Sequence, residues 1–306
     1  MKVLLFTHEQ DIDGMGSALL ANIAFDKYDL IPCKTFEITE KFKNNISNFD
    51  QYDQIIVTDL CVKEPILSEI NNSKYKNKVI ILDHHKTEIE EGNNKYDFVN
   101  IVVSSDKGLE SGTSLFYEYL LKNNYIKSNK CLDELVELTR QYDTWEWQKN
   151  NNKKARQLHI IFESIGYENY LISIGDILNE NSLEFTKEQY NIINTYEENL
   201  KNDINDILNN MIIYNQEINN INYKIGFVKI PYKYRNELSD IVKSNNKYDI
   251  DLVGMIITDR DTVSYRAVKD VDVSKIAVYF GGKGHKAAAT NLQSNELFKP
   301  IIDLFK

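Results

Sequence analysis

The sequence predicts an α/β protein in three parts: an N-terminal parallel-sheet domain over residues 1–148, a helical connector over 149–216 and a smaller C-terminal α/β domain over 217–306. Three observations predict it. Apolar runs alternate with amphipathic stretches through about residue 125, the pattern of strand–helix–strand units. From about 150 to 216 the composition moves to Asn, Lys, Glu and Ile, with no proline and long helical periodicity. Strand-like segments then return.

In the first domain, strands are expected at 2–6, 30–36, 54–58, 78–82 and 97–103. Val3 to Phe6, Ile55 to Val57 and Val79 to Leu82 have the continuous apolar character of strands covered on both faces. Gly14 to Phe25 reads as the first helix. Ser111-Gly112-Thr113-Ser114 opens another whose apolar face includes Leu115, Tyr119 and Leu120; this start either caps the helix or binds an anion. Residues 131–147 carry a helical period through Leu132, Leu135, Val136, Leu138 and Thr139, bringing Arg140 and Asp143 with it. In the last domain, strands at 223–230, 251–258 and 262–268 accompany a helix at 234–244. Asn295 to Phe305 forms a final helix in which Pro300 sits awkwardly.

A chain of 306 residues at 42% hydrophobic can bury a sizeable core. Its first residues enter a strand at once and lack the apolar region of a signal peptide, and no run approaches the roughly 18 apolar residues of a membrane span. The expectation is a soluble cytoplasmic protein, monomer or homodimer, with no membrane partner. Cys33, Cys61 and Cys131 are far apart and free of C-x-x-C spacing, so they read as buried reduced thiols. A net charge of -10 argues against a protein that tracks long nucleic acid, which needs a basic face to neutralise many phosphates. Metal ions and a few placed cations can still hold one or two phosphates.

Five stretches concentrate metal-ligand side chains: His8 to Gly14 with Asp11 and Asp13, the strand-end Asp59, Asp83-His84-His85, Tyr142-Asp143, and Gly281-Gly282-Lys283-Gly284-His285. The first three follow the apolar strands, and the carboxyl ends of parallel strands are where open α/β sheets bind and react. Carboxylates gathered there repel one another and need protons or cations. Two divalent metals answer that need. A mixed imidazole and carboxylate set suits Mn2+, with Mg2+ or Co2+ as alternatives. Paired metals clamp a phosphate and generate a nucleophile from water near neutral pH, and Asp59, alone at its strand end, is the candidate bridge between them. Gly281 to His285 lets backbone approach a phosphate, with Lys283, His285 and Arg266 as added donors, although a plain glycine turn would look the same.

H-x-x-D-x-D-G, a lone strand-end Asp, D-H-H and a later Asp together resemble the DHH phosphoesterase superfamily. Ser264-Tyr265-Arg266 with the GGKGH segment is similar to its DHH-associated substrate domain, DHHA1. The details at Asp11 to Gly14, Ser111 to Ser114, Arg140 to Trp145 and Gly281 to His285 most resemble the oligoribonuclease B type, nanoRNases that degrade very short RNA. Gln10, Lys286 and Thr290 depart from the pattern without removing a ligand. The resemblance implies that His8, Asp11 and Asp59 hold one Mn2+ while Asp13, Asp59, His84 and Asp143 hold the other. It implies that His85 contacts the scissile phosphate or protonates the leaving oxygen, and that Asp83 orients a neighbouring histidine. Arg140, Arg266, Gly281, Gly282, Lys283, Gly284 and His285 are the implied substrate contacts.

The activity so implied is hydrolysis of short oligoribonucleotides to 5'-mononucleotides. A phosphodiesterase for linear or cyclic dinucleotides or 3'-phosphoadenosine nucleotides keeps the same chemistry, and a nucleotide sensor without turnover is the reading of another class. The pyrophosphatase branch ranks low because its second domain lacks a GGKGH segment. His159 reads as structural or surface, and Trp145 and Trp147 as packing beneath Asp143 rather than stacking a base.

Overall fold

The structure, a computed structural model, describes residues 1–178, 183–244, 247–284, 286 and 288–305. The chain forms two compact units, Met1–Tyr196 and Glu197–Lys306.

The first unit is built on β1 (Lys2–His8), α1 (Ile12–Ala24), β2 (Lys27–Cys33), α2 (Ile38–Asn45), β3 (Gln54–Thr58), α3 (Ile66–Asn71), β4 (Val79–Asp83), α4 (Lys86–Glu90) and β5 (Val99–Ile101). These strands make a five-stranded sheet in the order β2-β1-β3-β4-β5, parallel throughout. Val3 to Phe6 and Ile55 to Val57 are almost wholly buried, as continuous apolar runs in a covered sheet should be. Leu4, Phe6, Phe42, Phe49, Ile55, Val57 and Ile81 form the core on one side. The second strand begins at Lys27 and ends at Cys33, not at 30–36: as an edge strand it tolerates Pro32, while Lys34 to Glu37 turn away toward α2.

A short hairpin, β6 (Ser104–Ser105) and β7 (Gly108–Leu109), precedes α5 (Gly112–Lys122), α6 (Lys130–Asp143), α7 (Glu146–Lys149), α8 (Lys153–Leu178) and α9 (Lys187–Asn209). The helical period expected over 131–147 is interrupted. After Asp143 the backbone reaches Trp145 at φ 63, a left-handed conformation that no α-helix continues through, and α7 starts afresh. Gly166, at φ 75 and ψ 166, a conformation essentially confined to glycine, breaks α8.

The second unit holds β8 (Ile212–Ile218), β9 (Ile221–Ile230), α10 (Arg235–Ser244), β10 (Leu252–Ile257), β11 (Val263–Ala267), α11 (Val273–Tyr279), β12 (Lys283–Gly284), β13 (Ala288–Asn291) and α12 (Lys299–Asp303). Its six-stranded sheet runs β12-β13-β11-β10-β9-β8, with only β9 and β10 parallel. Strand β8, which begins within the expected connector, pairs with β9 through a two-residue turn at Asn219 and Asn220, both with positive φ. Pro300 lies in the first turn of α12, where its missing N–H costs nothing, instead of in a helix interior. Phe227, Tyr265, Phe280 and Phe298 form the centre of this core.

Cys33, Cys61 and Cys131 are buried free thiols. Among the described residues, no helix is long and apolar enough to cross a membrane.

Candidate metal centre and active site

Three adjacent strand ends and the end of α6 converge on one cluster. His8 ends β1; its Nδ1 lies 2.7 Å from Asp11 Oδ2 and 3.5 Å from Asp59 Oδ2. Asp11 also caps α1, its Oδ1 accepting the Gly14 N–H at 3.1 Å, so the helix start aims the carboxylate. Asp59 follows β3. Its N–H donates to Leu82 O at 3.0 Å and its φ is 60, a conformation that costs a non-glycine residue on the order of 1 kcal/mol and is held only by its surroundings.

His84 sits at the middle of the cluster. Its Nε2 is 3.2 Å from Asp59 Oδ1, 3.5 Å from Asp143 Oδ2 and 3.7 Å from Asp13 Oδ2. Asp83 Oδ1 organises the two histidines beyond it, accepting the His84 N–H at 2.7 Å and the His85 N–H at 3.3 Å, and pairing with His85 Nδ1 at 2.7 Å. His85 itself is half exposed.

Asp13 is wholly buried, and the start of α5 holds it. Gly112 N–H donates to its Oδ2 at 2.5 Å, Thr113 N–H to its Oδ1 at 2.8 Å, and the Thr113 hydroxyl to its backbone carbonyl. Both readings of Ser111 to Ser114 are therefore realised. Ser111 and Ser114 form a capping box, and the helix N-terminus binds an anion that belongs to the protein.

The electrostatics follow from this crowding. Burial works against charge on His8, yet the Asp11 and Asp59 carboxylates outweigh it and raise its pKa to about 11. His84 is raised to about 10 in spite of burial, by Asp59 first and then by Asp13 and Asp143. Burial and the Asp59 charge push Asp13 up to about 7. Burial and Asp13 hold Asp143 well above the usual carboxylate range. Asp59 goes the other way: burial alone would raise it, but the two imidazoles bring it below its ordinary value. The site carries more carboxylate than its imidazoles can balance.

Divalent cations fit this arrangement. His8, Asp11 and Asp59 offer ligand atoms within 4.8 Å of one another, as do Asp13, His84 and Asp143, and as do Asp59, Asp83, His84 and His85. Asp59 Oδ2 is buried without a hydrogen-bond partner, a cost that a cation at that oxygen removes. A cleft of about 150 Å³ opens beside the cluster, walled by His8, Asp11, Asp59, Asp83, His85 and Asp143 among others.

Eight residues singled out from sequence thus meet in one place: His8, Asp11, Asp13, Asp59, Asp83, His84, His85 and Asp143. Arg140 is 5% exposed and its guanidinium is committed to Glu137, to Glu146 Oε2 at 2.7 Å and to Leu109 O at 2.7 Å, so it ties α6 to α7 and β7 instead of offering free donors to a substrate. Trp145 is 45% exposed yet stacks on Tyr142, which also stacks on Trp147 and on His159.

In the second unit, Arg266 on β11 donates to Ser264 Oγ at 2.8 Å, and burial followed by the neighbouring Arg235 lowers its pKa. Gly281 has φ 75, and a Cβ at Gly282 or Gly284 would strike the backbone of β13, so these glycines are required by the close β12–β13 pairing. Lys283 is exposed. His285 lies outside the described residues. Sequence reading missed Thr35, whose Oγ1 is 3.4 Å from His8 Nε2, and Lys63, which joins Glu88 and Glu91 at the cleft wall. Neither stands in a motif. It also missed the stacking of Arg235 and Arg260 on Tyr232.

A parallel sheet whose strand ends present two carboxylate–imidazole sets defines the class: a metal-dependent phosphoesterase. Residues 2–139 match the DHH family, N-terminal domain. The whole chain is 28% identical to oligoribonuclease NrnB of Bacillus subtilis (strain 168), over 97% of this chain and 74% of that protein. By the family match, the segment 2–139 is a DHH-family domain. The pGpG-specific phosphodiesterase PggH of Vibrio cholerae shares the fold, with a TM-score of 0.59 at 11% identity over 99% of this chain and 98% of that one.

Proposed function

We propose that this chain is a two-metal phosphodiesterase that hydrolyses short oligoribonucleotides to 5'-mononucleotides. The observation that carries the reading is Asp59, buried between His8 and His84 with one oxygen toward each imidazole. A single carboxylate shared by two ligand sets is what a paired-cation site requires. His8, Asp11 and Asp59 hold one cation; Asp13, Asp59, His84 and Asp143 hold the other. Two such ions supply charge to a phosphate and acidify the attacking water.

The chain's own residues do the rest. The α5 N-terminus fixes Asp13, Asp83 orients His85, and the half-exposed His85 protonates the leaving oxygen or binds the scissile phosphate. The mixed nitrogen and oxygen donors favour Mn2+. Arg266 and the Gly281 to His285 segment, Lys283 included, bind the nucleotide away from the reacting bond. Short substrates in the cytoplasm match the net charge of -10, which disfavours long nucleic acid.

Linear dinucleotides belong to the substrate range, since the smallest oligoribonucleotide is one and the Vibrio relative in fold is named for pGpG. Incubation with Mn2+ and an end-labelled dinucleotide should release monomers, and chelation should stop it. No release under those conditions would sink the proposal.

A further inference from the structure

Phe36 is 80% exposed, more than any other large apolar side chain among the described residues. It stands on the turn between β2 and α2, and that turn is firmly tied. Glu37 N–H donates to Lys34 O at 2.9 Å, Lys34 N–H donates to Glu37 Oε2 at 3.3 Å, and Lys41 Nζ reaches both Glu37 at 2.9 Å and Pro32 O at 2.7 Å. Thr35 and Ile38, on either side of it in the chain, both form part of the wall of the cleft beside the ligand cluster. That wall is otherwise polar or aliphatic, and among the described residues its only rings are the imidazoles of His8 and His85. A nucleoside whose phosphate enters the cleft therefore finds no aromatic face within it. The exposed Phe36 ring stands on the segment between two residues of that wall, Thr35 and Ile38.

We propose that Phe36 is the stacking platform for a nucleobase adjoining the scissile phosphate. This inference rests on the phosphodiesterase reading above. It makes Phe36 a binding residue, indifferent to base identity because every base offers a π face, as an enzyme acting on mixed short RNA requires. A ring pre-positioned by a rigid turn loses little entropy on stacking.

The test compares the full chain with Phe36→Ala, Phe36→Leu and Phe36→Trp on one dinucleotide in Mn2+. Alanine and leucine should raise KM roughly 5- to 100-fold, with kcat changed less than about threefold, while tryptophan keeps KM near the parent value. Titrating Phe36→Trp with a non-hydrolysable dinucleotide should quench its added fluorescence. Equal KM for phenylalanine, leucine and alanine overturns the proposal, and so does a loss confined to kcat. Should the parent protein prove inactive, the phosphodiesterase reading fails separately, and absence of the quench then decides against the platform as well.

Discussion

A Cβ on Gly112 would stand 2.5 Å from the Cβ of Asp59. The first turn of α5 thus closes directly on the end of β3, and at the same point its N–H groups reach Asp13. One backbone contact sets the positions of two carboxylates, Asp59 at the end of β3 and Asp13 in the first turn of α1.

Gly112→Ala tests this coupling. The added methyl must displace either the strained Asp59 or the helix start, because Asp59 backbone atoms also lie within 3.0 Å of the added carbon. Overpacking of this kind costs about 1–3 kcal/mol. The expected result is a lower melting temperature together with at least tenfold weaker Mn2+ binding by calorimetry. Unchanged Mn2+ affinity would show that the contact does not govern the carboxylates.

The raised imidazoles make a pH prediction for protein stripped of metal by chelation. His8 at about 11 and His84 at about 10 bind their protons more tightly folded than unfolded. Their stabilisation is therefore complete below the unfolded value of about 6.5 and is lost as pH climbs through 10 to 11. Asp13, raised to about 7, gives up its own share of stability between about pH 4 and 7. The melting temperature of stripped protein should fall steadily from pH 6 to 10. Metal must expel the imidazole protons and those held by the raised Asp13 and Asp143 carboxyls, so calorimetry at pH 7 in buffers of different ionisation enthalpy should report release of more than about two protons per protein. A flat profile with no proton release would contradict the ion-paired cluster.

The ligand residues were legible because each belongs to a short motif at the end of an apolar run, and strand ends of one parallel sheet share one edge. What the sequence hid lies in long-range partners. The anion at the α5 N-terminus is Asp13, 99 and 100 residues away from the two N–H groups that hold it. Arg140 resembled a substrate contact since Leu109, one of its acceptors, is 31 residues distant and Glu146 lies beyond a break that Trp145 introduces. Strand β8 escaped notice because its consecutive Asn215, Gln216 and Glu217 break any apolar alternation and read like the polar helices before it. Its Asn219-Asn220 turn was the signal available.

His85 should separate chemistry from metal binding. Its Nδ1 is held by Asp83, which raises its pKa, while its ring remains half exposed. His85→Ala should lower kcat by about 10²- to 10⁴-fold and leave Mn2+ affinity within about threefold of the parent. Asp83→Asn removes the cause of the raised pKa, so the alkaline limb of the kcat profile should move to lower pH. Loss of metal in His85→Ala would instead make it a ligand, in keeping with its place beside Asp59, Asp83 and His84.

Arg140 is expected to act through structure. Its side chain is 6% exposed while Glu137 is half exposed and Glu146 about one-fifth exposed, so removing the cation strands one largely buried carboxylate and the Leu109 carbonyl. Breaking a buried pair costs about 3–5 kcal/mol, and the exposure of Glu137 places Arg140→Met nearer about 2–3 kcal/mol. Arg140→Lys retains the charge but has no planar fork to span Glu137, Glu146 and Leu109 together, and should lose a similar amount. Because Asp143 lies one turn further along α6, both variants should also weaken Mn2+ binding, with KM for the dinucleotide at saturating Mn2+ unchanged. A rise in KM with stability intact would return Arg140 to the role of a substrate contact. Chemical denaturation alongside steady-state kinetics at high Mn2+ distinguishes the two.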